Sequence, residues 1–328
     1  MLGYLIRRCC LALPLLLGIT LISFVVLHLA PGEPEVVGQD LQAEASSARQ
    51  SLRQLYGLDQ PLWVQYGRWF GRLVRLDFGR SFAPDGRPVL AKIAERVPLT
   101  LTLNLLQLAV TLGVAVPIGV LAATRRGSWF DRGTTLFVFV GFATPDFWFA
   151  LLLMLLFGVE LGWLPISGIR SLNFEYLPFW GQVWDLVSHI ILPVGVVAVH
   201  GLAFLSRFMR GSMLEVIRQE YVRTARAKGL SERQVLGRHA LRNALLPVVT
   251  ILGLSIPGLL SGSVIIETIF ALPGMGQLFV QSAFSRDYPV LMGLIVIGAT
   301  LTLLGNILAD VAYALVDPRI QIAGPPRG

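Results

Sequence analysis

The sequence predicts an all-α integral membrane protein with six transmembrane helices and an extracytoplasmic insertion after the first. Three observations predict it. The 328-residue chain is 54% hydrophobic and only 14% charged, with a mean hydropathy of +0.67, far from the balance of a water-soluble domain. Six apolar runs are each long enough to cross a bilayer. Arginine gathers in alternate connections between those runs instead of spreading along the chain. The net charge of +7 would otherwise suggest nucleic acid, but basic residues flanking apolar helices explain it, and no nucleic-acid partner is expected.

The first run, residues 9–30, follows Arg7 and Arg8. At a helical rise of about 1.5 Å per residue it spans a hydrocarbon core. A signal peptide has a shorter apolar core and a small-x-small cleavage site, which Leu27-His28-Leu29-Ala30 does not supply. The run reads as an uncleaved anchor. Cys9 and Cys10 are adjacent and are the only cysteines, so no disulfide framework is expected. Plain apolar packing and palmitoylation are the two readings of that pair.

Residues 31–98 form a polar insertion with mixed charge and many turn residues. Three blocks punctuate it: Leu58-Asp59-Gln60-Pro61-Leu62-Trp63-Val64-Gln65-Tyr66, then Leu76-Asp77-Phe78-Gly79-Arg80-Ser81, then Arg87-Pro88-Val89. A small folded lid is expected, anchored by Trp63, Tyr66, Trp69 and Phe70.

Five further spans are expected at residues 99–123, 134–158, 188–206, 245–268 and 290–312. The N-terminus, the Arg125/Arg126/Arg132 connection, residues 207–244 and the C-terminus together hold sixteen Lys/Arg. The two short loops opposite them hold only Arg170 and Arg286. Because cations concentrate in short cytoplasmic loops, both termini are expected in the cytoplasm, with the lid and residues 159–187 outside.

Thr144-Pro145-Asp146 interrupts the third span near its middle. Polar backbone at that depth persists only under protein cover or beside a cavity. Asp146 is therefore a candidate for the translocation path, since an intramembrane carboxylate is costly to keep. The alternative is structural: Thr144 caps a half-helix, Pro145 takes its first position, and Asp146 offsets the positive dipole end. His189 and His200 read as isolated, with no carboxylate or cysteine at ligand spacing, and as packing residues rather than metal ligands. Asp310, one turn after Asn306, reads as a hydrogen-bonding residue or a substrate contact.

Residues 219–247 carry Arg223, Arg226, Lys228, Arg233, Arg238 and Arg242 against Glu220 and Glu232. A helix is expected over 219–228, stopped by Gly229, which adopts a left-handed conformation without steric cost. Ser231 and Gln234 are spaced as a capping box for a second helix, which runs into the membrane at Leu245. A basic cytoplasmic loop is the plain reading of this stretch. Two short helices with a glycine elbow, fixed to spans at both ends, are also well placed to transmit movement. In Glu267-Thr268-Ile269-Phe270-Ala271-Leu272-Pro273-Gly274-Met275-Gly276, Pro273 and Gly274 force a turn. An amphipathic helix over 275–284 should follow, lying back on the membrane surface.

The run Glu220, Tyr221, Arg223, Thr224, Ala225, Arg226, Ala227, Lys228, Gly229, Leu230, with His239-Ala240-Leu241-Arg242-Asn243 and Pro247, resembles the Glu-Ala-Ala loop of permease subunits in binding-protein-dependent ABC importers. Pro247 follows Gly229 at a longer interval than in the general pattern, a spacing similar to the dipeptide/oligopeptide/nickel branch. The three blocks of the insertion resemble the N-terminal segment of that branch's B-type permease. Glu267, Pro273, Gly274, Gly276, Asp287, Asp317, Pro318 and Arg319 match further family positions, so the resemblance covers essentially the whole chain.

The resemblance implies the type I ABC importer permease fold in the inner cell membrane. It divides the chain into an anchor and lid (1–98), a five-helix domain (99–316) with its coupling loop at 207–244, and a cytoplasmic tail (317–328). It also implies a heterodimer with a second homologous permease, two cytoplasmic ATP-binding subunits and an extracytoplasmic substrate-binding protein. The implied ATPase-coupling residues are Glu220, Tyr221, Arg223, Thr224, Ala225, Arg226, Lys228, Gly229 and Leu230. Dipeptides or oligopeptides are the expected cargo, with nickel chelates, glutathione and short oligosaccharides as alternatives.

Neither lysine, Lys92 or Lys228, lies in a G-x-x-x-x-G-K-[ST] phosphate cradle. No Ser/His/Asp, H-E-x-x-H or paired-cysteine pattern appears. The expectation is a chain with no catalytic residues, no metal and no cofactor of its own, and with ATP hydrolysis on other subunits. An intramembrane hydrolase would need a nucleophile or metal set that the chain lacks. A stand-alone channel would have no use for a docking element such as 219–247.

Overall fold

A computed structural model describes residues 2–29, 59–255, 258–259 and 262–316. The first part of the insertion and the positions Asp317, Pro318 and Arg319 lie outside the described residues, and the Asp310 side chain is likewise not described. The described chain is helical, with one isolated antiparallel bridge between Arg80 and Pro88.

In chain order the elements are α1 (Leu2–Leu29), α2 (Leu62–Leu73), α3 (Val89–Thr124), α4 (Trp129–Ala143), α5 (Asp146–Leu153) and α6 (Phe179–Ile217). Then come α7 (Glu220–Ala227), α8 (residues 232–244), α9 (Leu246–Ser255), α10 (Val264–Ile269), α11 (Met275–Phe284) and α12 (Tyr288–Val316). Residues 154–160 continue α5 as a wider π-type turn, and 235–240 form a second one inside α8.

Among the described residues, four unbroken helices are long and apolar enough to cross a membrane: Cys10–Leu29, Val89–Thr124, Phe179–Ile217 and Tyr288–Ile307. The third expected span is two arms, α4 and α5, bent by 105° at Thr144-Pro145. Thr144 is extended (ψ 120°), as a residue before proline prefers. The cap geometry differs from the expected one. The Thr144 hydroxyl donates back to the Val140 carbonyl at 2.8 Å, closing α4, while Pro145 holds the cap position of α5 and Asp146 is its first helical residue. The fifth span is also divided, into α9 and α10.

Two expected spans are longer than their apolar runs. α3 starts at Val89, not at 99, and carries Pro98 and Pro117 inside it. Pro98 removes one backbone bond, but Val89 and Ile93 already anchor the preceding turns in a core with Met275, Leu278, Val290 and Leu294. α6 runs 39 residues, with Pro193 inside.

α3 and α6 form the spine and run in the same direction. Small residues let their backbones close up: a Cβ on Gly119 would stand 2.7 Å from the Ser206 carbonyl oxygen, and one on Gly201 2.8 Å from the Thr111 hydroxyl. α1 packs on α12, and α4 and α5 pack on α6. Ala115, Ala123, Leu205, Met209 and Met213 of the spine meet Ala240, Ala244 and Val248 of α8 and α9 in one buried cluster.

Candidate functional site

The basic stretch 219–247 is a folded hairpin with a core of its own. Val222 and Ala225 of α7 are buried against Val235 of α8 and the half-buried Val216 at the end of α6. Gly229 separates the two helices at φ +79°. Gln234 Oε1 accepts from the Ser231 backbone N–H at 3.2 Å and from its hydroxyl at 3.0 Å, within a capping box. Across the elbow the Arg226 guanidinium grips Glu232, with Nη2 to Oε1 at 2.7 Å and Nε to Oε2 at 3.2 Å. That guanidinium holds the Glu232 carboxyl below the usual carboxylate range, and the carboxylate raises Arg226 in return. The Tyr221 hydroxyl accepts from the Asn243 amide at 2.8 Å, a second tie between the helices.

The structure therefore sorts the implied coupling residues. Ala225 faces the hairpin core, and Gly229 shapes the elbow. Glu220 receives Arg223 at 2.9 Å and the Thr224 hydroxyl, on its own carbonyl, at 3.0 Å. Tyr221, Arg223, Thr224, Arg226, Lys228 and Leu230 lie on the exposed side. Lys228, Arg233, Arg238 and Arg242 are also exposed and form no ion pair among the described residues. The hairpin presents a strongly cationic surface around a small apolar core.

The hairpin joins the spine by a hydrogen bond and a shared buried cluster. The Ser212 hydroxyl of α6 donates to the Ala244 carbonyl at 2.9 Å. Close by, Arg210 of α6 makes a forked contact with Asp131 of α4, its Nη2 at 2.9 Å from Oδ2. Asp131 is buried and also accepts from the Gly127 N–H at 2.9 Å. Neither Arg210 nor Asp131 stood out in the sequence. The available signal was Ser128-x-x-Asp131, a capping spacing, and Ser128 does cap α4 by accepting from the Asp131 N–H at 3.2 Å.

At the opposite end, Glu267 is 2% exposed and staples α10 to α3 and α11. Its Oε1 accepts from the Thr100 hydroxyl at 2.9 Å and its Oε2 from the Gln277 N–H at 3.0 Å. A carboxylate at the start of α11 also meets the positive end of that helix. A Cβ on Gly274 would lie 2.4 Å from the Glu267 carboxyl carbon, and one on Gly276 2.7 Å from Val264 Cα. Glu267, Pro273, Gly274 and Gly276 thus come together as one packed corner. Asp287 is separate from it. Asp287 receives the Ser81 hydroxyl and the Phe82 N–H (3.0 Å), which docks the second block of the lid onto the start of α12.

Asp146 and His200, 54 residues apart in the sequence, come together in the structure. His200 Nδ1 of α6 lies 2.6 Å from Asp146 Oδ1, which has no well-aligned hydrogen-bond donor among the described residues. The pair sits at the bend beside an apolar cavity of about 260 Å³ lined by Phe137, Val140, Phe149 and Val199. His189 is not isolated either. It has Asp185 one helical turn before it, and its Nδ1 lies 2.7 Å from the Asp185 carbonyl.

Residues 115–322 match the family described as "Binding-protein-dependent transport system inner membrane component", and residues 1–104 match "Binding-prot-dependent transport system membrane comp, N-term". The chain is 47% identical over 321 residues to "Oligopeptide transport system permease protein AppB" of Bacillus subtilis (strain 168), covering 98% of this chain and 100% of that one. It is 40% identical over 321 residues to a "Putative peptide transport system permease protein" of Brucella abortus (strain 2308), covering 98% and 99%. It is 39% identical over 335 residues to "Di/tripeptide transport system permease protein DppB" of Pseudomonas aeruginosa (strain UCBPP-PA14), covering 98% and 99%. Among solved structures, the inward-facing MetNI methionine ABC transporter superposes with a TM-score of 0.54 at 19% identity, over 70% of this chain and 97% of that one. That likeness shows the fold alone.

Proposed function

This chain belongs to the family of binding-protein-dependent transport system inner membrane components, and from that premise we propose that it forms one permease half of an ATP-driven peptide importer. It is a multi-pass membrane protein and a transport subunit, not an enzyme. Peptide cargo is supported by the printed names of relatives that match the chain nearly end to end. The second permease, the two ATP-binding subunits and the binding protein follow from family membership.

The single observation that carries the mechanism is the 219–247 hairpin, a self-packed cationic unit at the end of a 39-residue helix. At about 1.5 Å per residue α6 is some 58 Å long, longer than a hydrocarbon core is thick. A push on the hairpin by an ATP-binding subunit is carried along α6, whose length includes His200, beside the bend at Asp146. Such coupling requires the ATP-binding subunits to contact the hairpin differently in their two states. In this reading the hairpin and both termini face the cytoplasm and the complex sits in the inner membrane, an orientation that the basic bias supports. Asp146, with His200, faces the translocation path in this reading.

The test is reconstitution of the chain with its second permease, ATP-binding subunits and binding protein in liposomes. ATP-dependent uptake of a labelled tripeptide or pentapeptide is expected. Uptake of a nickel chelate in place of peptide would overturn the cargo assignment alone. Failure of the ATP-binding subunits to copurify would overturn the importer assignment.

A further inference from the structure

Two cavities adjoin at Phe78 along the same side of α1 and α12, and together they have the chemistry of a phospholipid. Both are walled by α1, by α12 and by α2, which lies on α1 through Tyr66 (hydroxyl 3.1 Å from that of Thr20) and Trp69 (ring 6.3 Å from Phe24).

One cavity, about 600 Å³, is hydrocarbon throughout: Leu13 and Leu17 of α1, Phe70 and Leu73 of α2, Val296 and Leu301 of α12. Its two hydroxyls are already spent on their own helices, Thr20 donating to the Leu17 carbonyl at 2.9 Å and Thr300 to the Val296 carbonyl at 2.8 Å. The other cavity, about 980 Å³, is cationic. Arg68 and Arg72 of α2 and Arg75 of the turn that follows line it, joined by Arg80, while Asp77 is the only carboxylate among the described residues of its lining. Asp77 Oδ1 accepts the Gly79 N–H at 2.9 Å, and Arg68, Arg72 and Arg75 form no ion pair among the described residues. Phe78 lines both cavities.

We propose that these cavities bind one anionic phospholipid, its phosphate on Arg72 and Arg75 and an acyl chain in the groove between α1 and α12. Charge selects the occupant of the cationic half, because guanidinium forks match phosphate oxygens. The dry groove beside it admits hydrocarbon and rejects a peptide, whose backbone groups would go unsatisfied. α2 acts as an interfacial helix, with arginines on one face and Phe70 and Leu73 on the other. The inference rests on membrane embedding and not on the transported substrate.

The experiment places the full chain in phosphatidylcholine nanodiscs containing phosphatidylglycerol with a photoactivatable acyl chain. Label is expected on residues 13–20 and 296–301. Arg72→Gln with Arg75→Gln should lower that labelling about tenfold or more, the loss expected for charged hydrogen bonds. Arg72→Lys with Arg75→Lys should keep most of it, and Arg170→Gln should change nothing. Label mapping elsewhere, equal labelling of the Gln pair, an equal loss in the Lys pair, or the same loss from Arg170→Gln would each overturn the proposal. So would intact labelling in a Gln pair that instead loses capture by the binding protein, which would make the arginines a protein-docking surface.

Discussion

Gly229 turns at φ +79° with no atom within 4 Å of where a Cβ would stand, so a side chain there is opposed by backbone conformation alone. Alanine should cost roughly 1 kcal/mol and valine more, because a β-branched residue fits positive φ least well. Gly229→Ala should weaken copurification of the ATP-binding subunits mildly and Gly229→Val severely, with both variants inserted normally. Wild-type capture and transport by Gly229→Val would remove the elbow from the coupling mechanism. Asp146 calls for a different measurement. Asp146→Asn keeps the side-chain shape and loses the charge beside His200. If the carboxylate served only the start of α5, the loss would be about 0.3–1 kcal/mol and transport would persist. The expected result is unimpaired membrane insertion with strongly reduced peptide uptake. Normal uptake would return Asp146 to a purely structural role.

The hairpin was legible as two helices and an elbow because each signal is local: Gly229, the Ser231/Gln234 spacing, and the polar run between two apolar ones. Its internal ties were not, since nothing in the spacing says that Arg226 will grip Glu232 instead of a partner subunit. That tie makes a prediction. Glu232→Arg should loosen the elbow and reduce ATPase capture, and Arg226→Glu combined with Glu232→Arg should restore it. An exposed pair of this kind is worth about 0–1 kcal/mol, so the loss should be modest and larger at low salt. Because the Glu232 pKa is depressed in the fold, the contact is fully present above the ordinary carboxylate pKa. It is lost only as pH falls through the lower, folded value, so titration near neutral pH should leave it unchanged. No rescue by the double swap would show that Arg226 acts directly on the ATPase. The other elements were misjudged at their ends. Hydropathy marks where a helix meets lipid, whereas α3 and α6 continue beyond it on buried contacts such as Val89 and Met213.

For the molecule as a whole, the expectation of six crossings and of their orientation rests on composition and charge, which are additive along a chain; among the described residues four helices, or five spans with the bent pair, are long and apolar enough to cross. The pairings Asp146–His200, Asp131–Arg210 and Asp287–Ser81 were invisible, because helical periodicity assigns faces without saying which faces meet. The orientation has a direct test in a Cys9→Ser, Cys10→Ser background. Leu172→Cys should react with an impermeant thiol reagent on intact cells, since Leu172 is fully exposed in the loop expected outside. Arg233→Cys should react only after the membrane is opened. Labelling of Arg233→Cys from outside would invert the topology and end the argument for ATPase docking.

The bend at Thr144-Pro145 also bears on how the chain is made. α4 has 15 residues, and α5 has 8 before its 7-residue wider turn. At about 1.5 Å per residue neither arm reaches across some 30 Å of hydrocarbon. Both arms lean on α6, where a Cβ on Gly141 would come within 3.1 Å of Ala203. That helix is synthesised later. The two arms therefore lack most of their packing until α6 has left the ribosome, and their settled position should wait for that neighbour. Chains truncated at residue 178 and released should leave the 144–146 region open to protease, and the full-length chain should close it.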